Sequence, residues 1–168
     1  VPFDQAAKAA CLHCRMRTPE LKDVLAGEAV ATPEPLAEET LPENAAERLD
    51  YWARQFSRCV RCYACRQVCP ACYCTECFTD RAALKWVSKR IETPENWMYH
   101  TTRAMHLAGR CIGCGECERV CPVGIPITRL MREMARDVQE LFGYEAGMDP
   151  EADPALGTYC EGDQGPEG

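Results

Sequence analysis

A chain of 168 residues with 8 % aromatic side chains is one domain's worth plus extensions, with little material for a core held by hydrophobic burial alone. Fourteen cysteines in an acidic chain (net charge −7) without a recognisable signal peptide argue against a secreted disulfide scaffold and for a reducing, cytoplasmic setting. No apolar run approaches the roughly 20 residues that cross a bilayer, and fifteen Lys and Arg against eleven Asp and Glu over residues 44–142 is too small an excess for a nucleic-acid-binding face.

In chain order, residues 1–27 carry the thiolate knuckle Cys11-Leu-His-Cys14, then apolar Leu21, Val24 and Leu25. Residues 28–43 hold Pro33, Pro35 and Pro42 with five glutamates and no base, which predicts an extended acidic linker. Residues 44–142 read as one helical domain. Leu49, Trp52, Ala53, Phe56 and Val60 recur at helical spacing after the candidate cap Asn44. A second helix is predicted from Asp80, with Leu84, Val87 and Ile91 aligned, stopping near Thr93-Pro94. A third runs from Asn96 to Ala108 with Met98, Thr102 and Met105 on one face, and a fourth follows Pro126 through Ile127, Leu130, Met131, Met134, Val138 and Leu141 to Gly143. Residues 143–168 hold seven acids and no Lys or Arg, an acidic extended tail whose Tyr144 and Tyr159 suit docking on a partner. No segment alternates with period two, so the fold class is mainly α. Beginning at Val1, the sequence reads as the end of a longer polypeptide or as a processed or incomplete one.

The chemistry lies in two copies of one pattern, Cys59-x-x-Cys62-x-x-Cys65-x-x-x-Cys69-Pro70 and Cys111-x-x-Cys114-x-x-Cys117-x-x-x-Cys121-Pro122. Three thiolates spaced by two residues close on one cubane from a short loop, while the fourth, displaced and followed by Pro, serves the cluster of the other run. The expected sets are Cys59, Cys62, Cys65 and Cys121 for one 4Fe-4S cluster, and Cys111, Cys114, Cys117 and Cys69 for the other. Disulfides and zinc ribbons are poorer readings, because C-x-x-C pairs strain on oxidation and zinc ribbons lack the third thiolate and the Cys-Pro. Arg58, Arg61, Arg66, Arg110 and Arg119 flank the runs, where cations offset the clusters' negative charge.

Six cysteines remain: Cys11, Cys14, Cys72, Cys74, Cys77 and Cys160. Cys11, Cys14, Cys74 and Cys77 form two separated pairs suited to a structural zinc ion; a third 4Fe-4S cluster and free thiols are the alternatives. Cys72 is a possible substitute for Cys74, and Cys160 reads as unliganded. Trp52, Trp86 and Trp97 read as packing residues, and of His13, His100 and His106 the last is expected beside Cys111 as a hydrogen-bonding residue. Gly113, Gly115 and Gly124 are expected to provide the turns of the cluster loops.

The 41 residues between Cys69 and Cys111 leave room for two helices, and residues 50–142 resemble the α-helical ferredoxin superfamily, which includes the small iron–sulfur subunit of heterodisulfide reductase. The stretches 58–78, Arg103 to Cys111 and Leu141 to Gly147 are similar to dicluster ferredoxin-type subunits related to the β subunit of deazaflavin-dependent formate dehydrogenases. The resemblance implies a soluble, non-catalytic electron-transfer subunit. Its partners would be a flavoprotein and a catalytic dehydrogenase, hydrogenase or heterodisulfide-reductase-like subunit, although the chain lacks a flavin-binding domain of its own. A cluster-based disulfide reductase using Cys72 or Cys74, and a redox-sensing or structural iron–sulfur protein, are the competing classes.

Overall fold

The computed structural model describes residues 11, 14, 18, 21–28 and 41–157. The chain divides into two compact units, Val1–Glu43 and Asn44–Gly168. In the first, the Cys14 amide donates to the Cys11 carbonyl at 3.3 Å, and Leu21, Val24 and Leu25 are exposed. Most of the predicted linker lies outside the described residues, as do His13, Tyr159 and Cys160.

The second unit is helical, and the described residues contain no strand. Helix α1 (Ala45–Ser57) starts at the expected cap: Asn44 stays extended, and its Oδ1 accepts the Ala46 and Glu47 amides at 2.8 and 3.4 Å. The helix buries Trp52 and Phe56, whereas Leu49 is outside. Phe56 stacks on His100 with ring centroids 4.6 Å apart and meets Trp97 edge-on at 5.2 Å. Trp97 is only half-buried. Burying a side chain of this size contributes roughly 1.5–3 kcal/mol.

The helix expected from Asp80 does not form: residues 81–92 are bends and irregular chain. Their polar groups find other partners. The Ser88 amide donates to Glu95 Oε2 at 2.7 Å, the Arg90 amide to Ser88 Oγ at 3.2 Å, and the Arg90 carbonyl accepts the Arg61 guanidinium. Val87 is buried, but Leu84, Trp86 and Ile91 are exposed, so the apparent apolar face has no neighbour to cover it. Thr93-Pro94, read as a stop, instead opens helix α3 (Thr93–His106), because Pro in the first turn lacks an N–H that would go unpaired there. Met98 and Met105 face outward, and the buried side carries Asn96, Tyr99, His100, Arg103 and Ala104.

Two one-turn helices, α2 (Ala64–Gln67) and α4 (Glu116–Arg119), lie at corresponding places in the two cysteine runs, and they pack on each other. Helix α5 (Ile127–Phe142) buries Ile127, Thr128, Met131 and Val138 and ends at left-handed Gly143, as its pattern predicted. Glu118 caps its start by accepting the Thr128 amide at 3.1 Å. Helix α3 packs against both α1 and α5. After α5 the chain returns to a 3₁₀ turn (Ala155–Gly157) whose Ala155 is buried. A Cβ placed on Gly109 would lie 3.6 Å from both the Ala155 methyl and the Tyr144 ring, so the returning segment is in contact with the approach to the second run.

Candidate metal centres

Each cysteine run folds into the same turn. Arg61 and Tyr63 in the first, Gly113 and Gly115 in the second, have φ of 47°, 60°, 67° and 76°. Glycine reaches this left-handed region freely, whereas a residue with a Cβ gives up roughly 1–2 kcal/mol there. The conformation turns the backbone amide two residues after each first cysteine back onto its sulfur: Arg61 N–H to Cys59 Sγ and Gly113 N–H to Cys111 Sγ, both 3.4 Å. The Ile125 amide is likewise 3.4 Å from Cys121 Sγ. Helices α2 and α4 then carry the third thiols, Cys65 and Cys117, into the interior.

The eight thiols of the two motifs gather in two cavities. Cys59, Cys62, Cys65 and Cys121 line one, with Val123, Ile125 and Ile127 among its apolar walls. Cys69, Cys111, Cys114 and Cys117 line the other, closed by Leu107 and Met131. Each cavity has about 320 Å³ free of protein atoms, counting open solvent at its mouth. Each thus takes three thiols from one run and the displaced thiol from the other. Four thiols spread around each cavity suit a polynuclear core, with soft sulfur donors for iron.

Charge points the same way. Arg61 walls the first cavity and Arg103 the second; they are 8 % and 3 % exposed. Arg61 Nε and Nη1 and Arg103 Nε are buried without hydrogen-bond partners. Arg61 Nη1 is 4.0 Å from Glu95 Oε2, too long for a hydrogen bond. Buried guanidinium nitrogens left bare beside a cavity fit an anionic occupant, and a cubane with four thiolate ligands is an anion.

Helix α3, which contributes no cysteine, supports these sites. Tyr99 Oη is 3.3 Å from Cys65 Sγ, and His100 Nε2 is 3.3 Å from Cys59 Sγ. Asn96 Nδ2 donates to the carbonyls of Phe56 and Cys59 at 2.9 and 2.8 Å, tying the end of α1 to the first thiol. Burial, with the Arg103 charge added, lowers the His100 pKa to about 4, so its imidazole is neutral at pH 7. Burial pushes the Cys59 and Cys111 thiols up, and Cys117 to about 11. Metal binding must therefore displace protons from these thiols. Cys69 behaves oppositely: a hydrogen bond from Cys72 holds it down to about 5, and the same bond raises Cys72.

Spacing had indicated His106 as the histidine beside a thiol, but His106 is exposed and meets the Phe78 ring edge-on, and His100 has that role instead. Sequence reasoning gave Tyr99, His100 and Arg103 no supporting role because they lie away from the Met98–Thr102–Met105 face of their helix. Of the third proposed quartet, Cys11 and Cys14 are exposed in the first unit, while in the second Cys74 is exposed and Cys77 half-buried. Burial alone would raise Cys77, but hydrogen bonds from Thr79 and Arg66 and the Arg66 charge hold it below its ordinary value. Arg66 is itself fixed by Thr79 and Asp80, both at 2.8 Å.

Residues 55–125 match the family model of a 4Fe-4S dicluster domain. The chain is 38 % identical over 118 residues, 70 % of its length, to F420-dependent formate dehydrogenase 1 subunit beta of Methanococcus maripaludis. It is 32 % identical over 113 residues, 67 % of its length, to F420-dependent formate dehydrogenase subunit beta of Methanocaldococcus jannaschii. These matches cover only 30 % and 29 % of the two relatives.

Proposed function

We propose that this chain, whose residues 55–125 match a 4Fe-4S dicluster domain and which is similar to part of formate dehydrogenase β subunits, relays single electrons between subunits of a larger oxidoreductase complex. In this reading Cys59, Cys62, Cys65 and Cys121 hold one 4Fe-4S cluster, and Cys69, Cys111, Cys114 and Cys117 hold the other. The observation that carries it is the pair of thiol-lined, apolar-walled cavities, each fed by both motifs. A bound cubane supplies reversible one-electron chemistry.

The protein's own residues do the rest. Ile125, Ile127, Leu107 and Met131 keep water from the sites. The amides of Arg61, Gly113 and Ile125 direct N–H groups at ligand sulfurs, which favours the more negative reduced state. No residue is assigned to bond-making. The partners proposed are a flavoprotein on one side and a catalytic dehydrogenase, hydrogenase or heterodisulfide-reductase-like subunit on the other, in the cytoplasm. Cys11, Cys14, Cys74 and Cys77 are proposed to hold a structural zinc ion, with a third 4Fe-4S cluster as the alternative.

Iron, acid-labile sulfide and zinc per chain, in protein purified without oxygen, test the reading: two cubanes require about eight iron. About one zinc in addition supports the structural ion, about twelve iron with no zinc a third cluster, and little iron with much zinc overturns the relay. In Cys69→Ser, the cluster built with Cys111, Cys114 and Cys117 should be lost; selective loss of the other refutes the crossed ligand sets.

A further inference from the structure

Arg103 lies on a helix without cysteines, is 3 % exposed, walls the second cavity and bonds the backbone of a residue that lines the first. Its Nη2 donates to the carbonyl of Cys65, a thiol residue of the first cavity, at 3.0 Å. Its side chain also walls the second cavity beside Cys69, Cys111 and Cys117. Its Nε is buried with no hydrogen-bond partner, and among the described residues no carboxylate comes within ion-pair distance of it. The contrast with Arg61 and Arg66 is informative. Arg61 has Glu95 at 4.0 Å and the Arg90 carbonyl, and Arg66 has Asp80 at 2.8 Å.

A guanidinium cannot shed its charge in a protein, and burying it without a counter-ion is strongly unfavourable. The groups around Arg103 that become negative on metal binding are cavity thiols, Cys65 of the first and Cys69, Cys111 and Cys117 of the second. We propose that Arg103 is a positioning residue shared by both sites, a fixed buried charge that raises the reduction potential of both clusters, more strongly in the second cavity, whose wall it forms. Each reduction adds one negative charge to a site, and a neighbouring cation stabilises the product more than the reactant. One residue therefore moves both potentials in the same direction. This inference rests on the two-cluster reading.

The test uses the full chain, purified without oxygen, as wild type, Arg103→Gln and Arg103→Lys. Metal analysis comes first: a wild type without about eight iron defeats the two-cluster reading itself, independently of Arg103. Potentiometric titration followed by electron paramagnetic resonance then reads the two reduction waves. In Arg103→Gln both waves should move to lower potential, the second-cavity wave further, and in Arg103→Lys both should return towards wild type. A single shifted wave, no shift, or equal shifts in Gln and Lys overturns the proposal. Should Arg103→Gln lose iron, loss from both sites with both retained in Lys supports a shared charge. Loss from one site alone, or from both in Lys as well, overturns it.

Discussion

Asn96 is 1 % exposed and joins the end of α1 to the first thiol residue, so Asn96→Ala tests how firmly α3 holds the first site. The two bonds it loses are unequal. The Phe56 carbonyl keeps the Cys59 amide at 3.0 Å, so its loss is that of an ordinary hydrogen bond, about 1 kcal/mol. The Cys59 carbonyl is left bare in a buried position, which costs about 1–3 kcal/mol. Against these, Asn96 Oδ1 is itself buried without a partner, and removing it returns about 1 kcal/mol. The net loss is about 2 kcal/mol, and with a urea slope of roughly 2 kcal/mol per M the unfolding midpoint should fall by about 1 M. The assay is a urea titration of the anaerobic, metal-loaded protein followed by far-UV circular dichroism. Asn96→Asp should be worse still, because it sets a buried carboxylate against two carbonyls with no donor to offer. A midpoint within about 0.2 M of wild type for Ala, or an Asp variant more stable than Ala, refutes the reasoning.

Gly115→Ala should lose about 1–2 kcal/mol from backbone strain at φ 76° alone, since the added Cβ comes no closer than 3.8 Å to the Thr128 hydroxyl; the same urea titration measures it. Asn44→Ala should weaken the start of α1 by about 1 kcal/mol, read as faster amide hydrogen exchange in its first turn with both clusters retained. Hydrogen bonds from Ser88, and then the Arg61 and Arg90 charges, hold the Glu95 carboxyl below its ordinary 4.5. Because the folded value is the lower one, the stabilisation is complete above pH 4.5 and disappears as pH falls through the folded value. Wild type should therefore exceed Glu95→Gln in stability at neutral pH and converge with it in acid; an unchanged gap across that window counts against the Ser88–Glu95 bond.

The metal chemistry was legible because cysteine spacing is short-range information: a turn long enough for two intervening residues already fixes where three sulfurs can point. The ends of α1 and α5 were legible for a similar reason, since Asn44 and Gly143 act on their immediate neighbours. Helix α3 was recognised as a helix but assigned the wrong inner face. Met98 and Met105 dominate its hydropathy, yet the inner side belongs to Asn96, Tyr99, His100 and Arg103, whose polar atoms meet sulfurs and carbonyls supplied from elsewhere. Residues 81–92 failed in the opposite sense. Helical periodicity is only permission to bury a face, and Leu84 and Ile91 have nothing to bury it against. Arg61 and Tyr63 gave no warning of left-handed backbone, because only alignment with Gly113 and Gly115 in the other run reveals the requirement.

The crossed lining of the cavities also bears on how the chain acquires metal while it is being made. Cys59, Cys62 and Cys65 leave the ribosome together, but Cys121, the fourth thiol of their cavity, follows 56 residues after Cys65. At about 5–20 residues per second that delay is about 3–11 s. During it the second run is still emerging, and any metal taken up by the first three thiols has an open edge. Cys69, conversely, waits for Cys111, Cys114 and Cys117 to be synthesised around it. Neither cavity can be completed by the chain's first half alone, so loading is tied to the moment when both halves exist and meet.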